Sequence, residues 1–459
     1  MRMKYNKLAI NTPEGLVFGN ALYPVTTRRG LVIGGGKVIP ELNFTLPPMS
    51  INADTFPAVC GHYRSIVAEA CEHARNLHAN GVIFEFETLL EMTQTPAWGV
   101  ELVKIMNDIC EDHYQKYNFK SEIRLTPNDL REFDRPPLSR SSKYLDAIWE
   151  LFDKGAQAGG DLLSIESTGG KEVHDDALMY CDIKQVVFAL SVLGVRDMKM
   201  LWQHIVAIAK KNNRIAGGDT ACGFANTAMV LAEKRCIPKI FAAIVRVISA
   251  VRTLVAIEEG AVGPDKDCGY EGPYLKAITG TPISMEGKSS ACAHFSPLGN
   301  IAACCADLWS NESVQNIKLL SGMAPIVSLE QLEYDARLMN QALKAGKQQA
   351  QMLQTLLSDS DRLLDPQALI LSPQNVIAIA EEIVQGDNYI DASLRAANKA
   401  LDIIDEAAQS GQLSVPEIEA PWIDMLRQSL SEIPTDESRF VEEMLPVCGD
   451  KFIPKEYGL

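Results

Sequence analysis

The chain has 459 residues, 47% of them hydrophobic and 22% charged, with a net charge of −16. That composition is globular, and it is too acidic for a nucleic-acid binder or an anionic membrane surface, both of which attract Lys and Arg. Eleven cysteines without any CxxC pair, behind an N-terminus lacking a signal-peptide core, read as reduced thiols in a cytoplasmic protein.

Taken in chain order, short β-type runs alternate with longer amphipathic stretches up to about residue 325. The expected strands are 38–44 (VIPELNF), 81–87 (GVIFEFE), 122–126 (EIRLT), 162–168 (LLSIEST), 214–219 (RIAGGD), 254–259 (LVAIEE), 282–287 (PISMEG) and 317–322 (IKLLSG). LVAIEE can equally continue the helix before it. Between them, Trp98 to Tyr117 carries Leu102, Ile105, Met106 and Ile109 at helical spacing, and Ser141 to Ala156 carries Leu145, Ile148, Trp149 and Phe152. The stretch 173–212 has room for two helices, the first ending near Gly194. The most apolar run, 240–257, is interrupted by Arg246 and Arg252 and makes a poor membrane span. Eight strands separated by helices predict a (β/α)8 TIM barrel over residues 1–325.

From 326 to 459 the strand signal disappears and an additional all-helical region is expected. Ser328-Leu-Glu-Gln331 reads as a capping box opening a helix to about Leu357. Ser372-Pro373 supplies a cap with proline at the first helical position, and Gly386 ends that helix. Ile390, Leu394, Ala397, Leu401, Ile404 and Ala408 form a seam stepping by four and three. This region either covers the barrel's flank or docks another protein.

Glu166, Cys222 and Cys268 each follow a β-like run, in LLSIES, RIAGGDTAC and LVAIEEGAVGPDKDC. In a barrel, residues at the C-terminal ends of strands face the active site. Strands lie about 4.7–4.9 Å apart, a spacing that zinc bonds of about 2.0–2.3 Å can span. Three protein ligands would leave a fourth position open, as catalytic zinc requires. Their separations match no local zinc motif, and an isolated cysteine in such a run is commonly a small core hydrophobe. The glycine-rich, polar surroundings AGGDTACGFAN and GPDKDCGYEGP are unlike a core.

The stretches LVIGGGKVIPELNFTLPPM (31–49), LLSIESTGGKEVHD (162–175), AGGDTACGFANTAM (216–229) and KDCGYEGPYLKAITG (266–280) resemble the methanol-specific methyltransferases that act with a corrinoid protein in methanogenic archaea and anaerobic bacteria. The resemblance spans essentially the whole chain. It implies a TIM barrel binding one zinc per chain through a Glu and two Cys, roles that fall on Glu166, Cys222 and Cys268 without departure. It further implies methanol as methyl donor and a Co(I) corrinoid, held by a separate protein, as acceptor. No DxHxxG-type signature for an internal corrinoid domain occurs. A hetero-oligomer with that partner is expected, with or without a homodimer at its centre. Thiol-methylating zinc enzymes use HxC plus a distant Cys, absent here, or GGCC. Ala302-Ala303-Cys304-Cys305 lacks those glycines and reads as core.

Hydroxide is a poor leaving group, and a Cys2Glu zinc site, with a net charge of about −1, is less Lewis-acidic than three imidazoles. Other polar groups must therefore assist the departing oxygen. Asp219, Glu258, Glu85 and Glu87 are candidates, alongside plainer roles as a helix cap or paired charges. Glu85 and Glu87 face the same side of their strand, which would be costly inside a barrel unless they are protonated, paired or ligand-bound. His62, His73, His78, His113 and His204 read as helix-packing residues, while His174 and His294 fall in loops after strands. Gly34-Gly35-Gly36 fits no phosphate-loop pattern and reads as a tight turn. The alternatives are a zinc hydrolase or lyase on the same barrel, against which the cysteines count, and a metal-stabilised scaffold whose helical region is the working part.

Overall fold

Apolar, β-rich runs in this chain are joined by helices too long for hairpins, which leaves parallel pairing as the outcome. The computed structural model describes residues 1, 3–46, 49–314, 318–320 and 322–459. Seven strands, Ile39–Thr45, Val82–Glu87, Ser121–Thr126, Leu162–Ile165, Ile215–Asp219, Ser284–Glu286 and Leu308–Val314, form one sheet. All its pairings are parallel, and Ile215–Asp219 and Ser284–Glu286 stand at its two edges.

Two of the eight expected strands differ. Residues 254–258 are the last turns of the helix Lys239–Glu258. No Gly or Pro breaks the run, and an apolar stretch buried along its whole length has no period that separates helix from strand. Of 317–322, residues 317 and 321 lie outside the described residues, and Lys318–Leu319 pairs with Gly322–Met323 in a small separate hairpin. The strand beside Ile39–Thr45 is instead Leu308–Val314, whose polar sequence LWSNESV hid it. A second hairpin, Asn20–Thr26 with Val32–Gly35, takes up most of the glycine run.

The irregular stretch 262–266 spans the gap between the sheet's edges. Val262 N, Gly263 N and Lys266 N donate to Ala216 O, Gly217 O and Asp219 O at 2.9, 2.9 and 3.3 Å. On the other side, Ser284 N donates to Asp265 Oδ1 at 3.1 Å. Glycine is needed for this approach: a Cβ at Gly218 would stand 2.7 Å from Asp265 Cα.

The sheet's inner face is polar. Arg124 Nε donates to Glu41 Oε1 at 2.6 Å, and its Nη1 reaches Ser164 Oγ and Pro264 O. Ser284 Oγ donates to Glu41 Oε2 at 2.6 Å. Glu85 stands opposite Arg124 and Glu87 opposite Thr126 in the strand register, and Glu85 is buried with Glu41 and Arg124. The main apolar core therefore lies outside the sheet, beneath the helices, and a smaller apolar cluster of Leu31, Ile33, Ile39, Ile83, Leu162 and Leu308 sits at the start of the strands.

Helices dominate from Ala324 onward: Ala324–Ala345, Lys347–Asp361, Pro366–Leu371, Pro373–Val384, Tyr389–Gln409, Trp422–Ser431 and Glu437–Cys448. The first begins four residues before Ser328 and ends at Gly346 rather than running on to Leu357. Ser372 and Gly386 bound the helix Pro373–Val384 as expected. Along Tyr389–Gln409, Ile390, Ala397, Leu401 and Ile404 are buried, and this helix packs on Lys239–Glu258. That leaves Lys239–Glu258, apolar and long enough to cross a membrane, wholly enclosed by protein.

Candidate functional site

Each of three loops at the C-terminal ends of neighbouring sheet positions carries one side chain to a common point. Glu166 directly follows the strand Leu162–Ile165, Cys222 opens a turn of π-helix (Cys222–Asn226) beyond Ile215–Asp219, and Cys268 follows the stretch 262–266. One ligand atom from each of the three lies within 4.8 Å of the others. Cys268 Sγ donates to Glu166 Oε1 at 3.1 Å.

Burial and crowding hold both thiols of this cluster toward their protonated form. The contact with the Cys268 thiol lowers the Cys222 pKa, but burial and the charges of Glu166 and Glu286 outweigh it and push the thiol up to about 12. Burial, Cys222 and Glu166 push Cys268 well above the usual thiol range. Two thiols and a carboxylate at this spacing are a donor set suited to zinc.

Lys266 stands against the triad, its Nζ 2.8 Å from Glu166 Oε1, 3.2 Å from Asp267 Oδ1, 3.4 Å from Glu85 Oε1 and 3.6 Å from Glu87 Oε2. Burial alone would lower its pKa; Asp267, Cys268, Glu166 and Glu85 hold it well above the usual lysine range. The inward-facing glutamates are thus paired through one ammonium. Burial pushes Glu85 well above the usual carboxyl range against the pull of Lys266. Thr126 Oγ1 donates to Glu85 Oε1 at 2.9 Å, while Glu85 Oε2 has no hydrogen-bond partner. Nothing in GPDKDCG singled out this lysine.

A cavity of about 110 Å3 opens beside the triad, lined among others by Glu166, Ser167, Thr168, Glu87, Thr126 and Lys171. Of the three converging residues, Glu166 lines this cavity, together with Gly223 next to Cys222.

Asp219 binds backbone instead of facing this cavity. Its Oδ1 accepts from Ser167 N and Thr220 N at 3.3 and 2.9 Å, and its Oδ2 from Trp202 Nε1 at 2.9 Å. Glu271, which sequence reasoning missed, accepts from Ala221 N at 2.6 Å and Thr253 Oγ1 at 2.7 Å. Glu258 belongs elsewhere: it accepts from Tyr389 Oη at 2.5 Å and Lys4 N at 2.7 Å, tying the N-terminus to the C-terminal helices. His174 is buried on the helix Lys171–Tyr180 with its ring edge-on to Phe224. His294 lies 3.8 Å from Glu286. Cys304 and Cys305 are buried apart from the triad.

The whole chain has relatives. The family profile described as MtaB, methanol-cobalamin methyltransferase B subunit, matches residues 2–458. A methanol–corrinoid protein co-methyltransferase from Methanosarcina barkeri strain Fusaro is 36% identical over 462 residues, covering 99% of each chain. The crystal structure of the methanol:cobalamin methyltransferase complex MtaBC from Methanosarcina barkeri contains a chain 37% identical, superposing with a TM-score of 0.94 over 99% of both.

Proposed function

The chain belongs to the methanol-cobalamin methyltransferase B subunit family, and from that premise we propose that it takes the methyl group of methanol and passes it to the cobalt of a corrinoid carried by a separate protein. The observation that carries this reading is the convergence of Glu166, Cys222 and Cys268 beside a cavity lined by Glu166 and Glu87. We assign the three as ligands of one zinc ion. Zinc held there supplies Lewis acidity, which makes the hydroxyl of methanol a better leaving group. Lys266 offsets part of the negative charge of the donor set and orients Glu166 through their hydrogen bond. Of the four acids expected to assist, Glu87 is the one that lines the cavity, and we assign it to the departing oxygen. Hydrolytic zinc sites draw on His and carboxylate ligands, so this donor set favours methyl transfer over a hydrolase or lyase.

The sheet together with the stretch 262–266 makes a closed (β/α)8 barrel in this reading, with that stretch in the place of a regular strand. Residues 1–325 form the catalytic domain, and residues 326–459 form a helical region on its flank. The partner must bring its cobalt to the mouth of the cavity. Exposed Phe133, Phe295 and Leu320, in segments that follow strands, are candidate apolar contacts for it, with the helical region as a second face for a hetero-oligomer. The free cysteines suit the cytoplasm.

The test is methyl transfer from methanol to cob(I)alamin and to the native corrinoid protein, with zinc content measured in parallel. Zinc-loaded protein that transfers no methyl group to either acceptor would overturn the assignment.

A further inference from the structure

The helix Lys239–Glu258 is enclosed on all sides, yet it carries two arginines, both fully buried. A guanidinium in such surroundings is costly unless its N–H groups find acceptors. Those acceptors are concentrated on the three loops of the triad. Arg252 Nη2 donates to Ser167 O and Oγ, both at 2.6 Å, immediately after Glu166. Its Nη1 reaches Thr220 O at 3.4 Å, two residues before Cys222, and lies 3.6 Å from Asp219 Oδ1. Arg246 Nη1 donates to Gly269 O at 2.6 Å, immediately after Cys268.

The loops are also bonded to one another. Gly269 N donates to Thr220 Oγ1 at 2.8 Å, and Glu271 Oε1 takes Ala221 N from one loop and Thr253 Oγ1 from the helix. On the far side, Arg246 Nη2 donates to Gln367 Oε1 at 3.0 Å, on the short helix Pro366–Leu371.

We propose that Lys239–Glu258 is a clasp that sets the spacing of the three metal ligands, with Arg246 and Arg252 as positioning residues and Gln367 linking that spacing to the C-terminal helices. The proposal rests on the reading of Glu166, Cys222 and Cys268 as ligands. It predicts that the arginines act on the metal through loop geometry, without touching it.

The full chain is loaded with Co2+ in place of zinc. Its d–d bands and thiolate charge-transfer absorption are recorded, and affinity is measured against a chelator for wild type, Arg246→Met, Arg252→Met, Arg246→Lys and Gln367→Leu. Ile248→Ala, a buried position on the same helix, is the control for simple destabilisation. The arginine-to-methionine variants should shift the d–d bands and bind metal on the order of 10–100-fold more weakly. Gln367→Leu should shift the bands less, Arg246→Lys should restore part of the wild-type spectrum, and Ile248→Ala should lower Tm with the spectrum unchanged. Folded arginine variants with wild-type spectrum and affinity would overturn the clasp. If those variants do not fold, an unchanged spectrum in Gln367→Leu does so. Failure of the ligand reading is separate, since wild type would then show no thiolate-to-cobalt band.

Discussion

Lys266 Nζ lies 2.8 Å from Glu166 Oε1 and 3.2, 3.4 and 3.6 Å from carboxylate oxygens of Asp267, Glu85 and Glu87 as well. Removing one partner of a buried ion cluster costs more than the cluster contributes, because the remaining charges stay in a low dielectric. Lys266→Met should therefore lose roughly 3–5 kcal/mol of stability in urea unfolding at neutral pH. Asp267, buried against Lys266 and held below the usual carboxylate range by it, is the charge left stranded, so the double variant Lys266→Met/Asp267→Asn should regain part of it. Equal stability of Lys266→Met and wild type would show that the carboxylates relax into water.

If Glu166, Cys222 and Cys268 hold zinc as proposed, wild type should bind it stoichiometrically and gain Tm on its addition, and Cys222→Ala and Cys268→Ala should each bring bound zinc near zero and abolish that gain. Cys304→Ala and Cys305→Ala should keep full zinc content while losing roughly 0.5–3 kcal/mol of stability, as core truncations do. Stoichiometric zinc in either of the first two variants would sink the ligand assignment.

The walls of the cavity beside Glu166 are where selectivity among alcohols would be set. One added methylene typically shifts kcat/KM by about 10–200-fold, so methanol should outrun ethanol by at least the lower figure and 2-propanol should fail. Ethyl transfer at the methanol rate would show that the wall yields.

Glu333, buried on the helix Ala324–Ala345, has its carboxyl raised to about 7, by burial and against the opposing pull of Arg337. A raised carboxyl pKa favours the protonated form in the folded state. Its contribution is complete below the ordinary value of 4.5 and is lost as pH rises through about 7. The Tm of Glu333→Gln minus that of wild type should therefore grow between pH 5 and pH 8. A constant difference across that window would refute the shift.

Much of the site could be read from residue order, because Glu166, Cys222 and Cys268 sit at the ends of local signals. The alternation of Glu85 and Glu87 placed both on one face and posed the right question about burial. Its answer, Lys266, comes from far along the chain and carries no local pattern. Arg246 and Arg252 were legible only as flaws in an apolar run, since their acceptors are backbone atoms on loops distant in sequence. Period-based reasoning failed where burial was complete, at 254–258, and where an inner face was polar, at Leu308–Val314. The second failure follows from the polar inner face of the sheet, where a strand loses the apolar signature that usually announces it.

A regular strand fixes the direction of every side chain on it, since a slip of one residue inverts them all. The stretch 262–266 is held on one edge by three backbone bonds and met on the other by a single side chain, Asp265, so it escapes that rule. Lys266 and Cys268 therefore owe their directions to ion pairs and hydrogen bonds, while Glu166 follows directly from a regular strand. Exchanging this short stretch between relatives should retune the metal's surroundings, leaving the remaining strands in register.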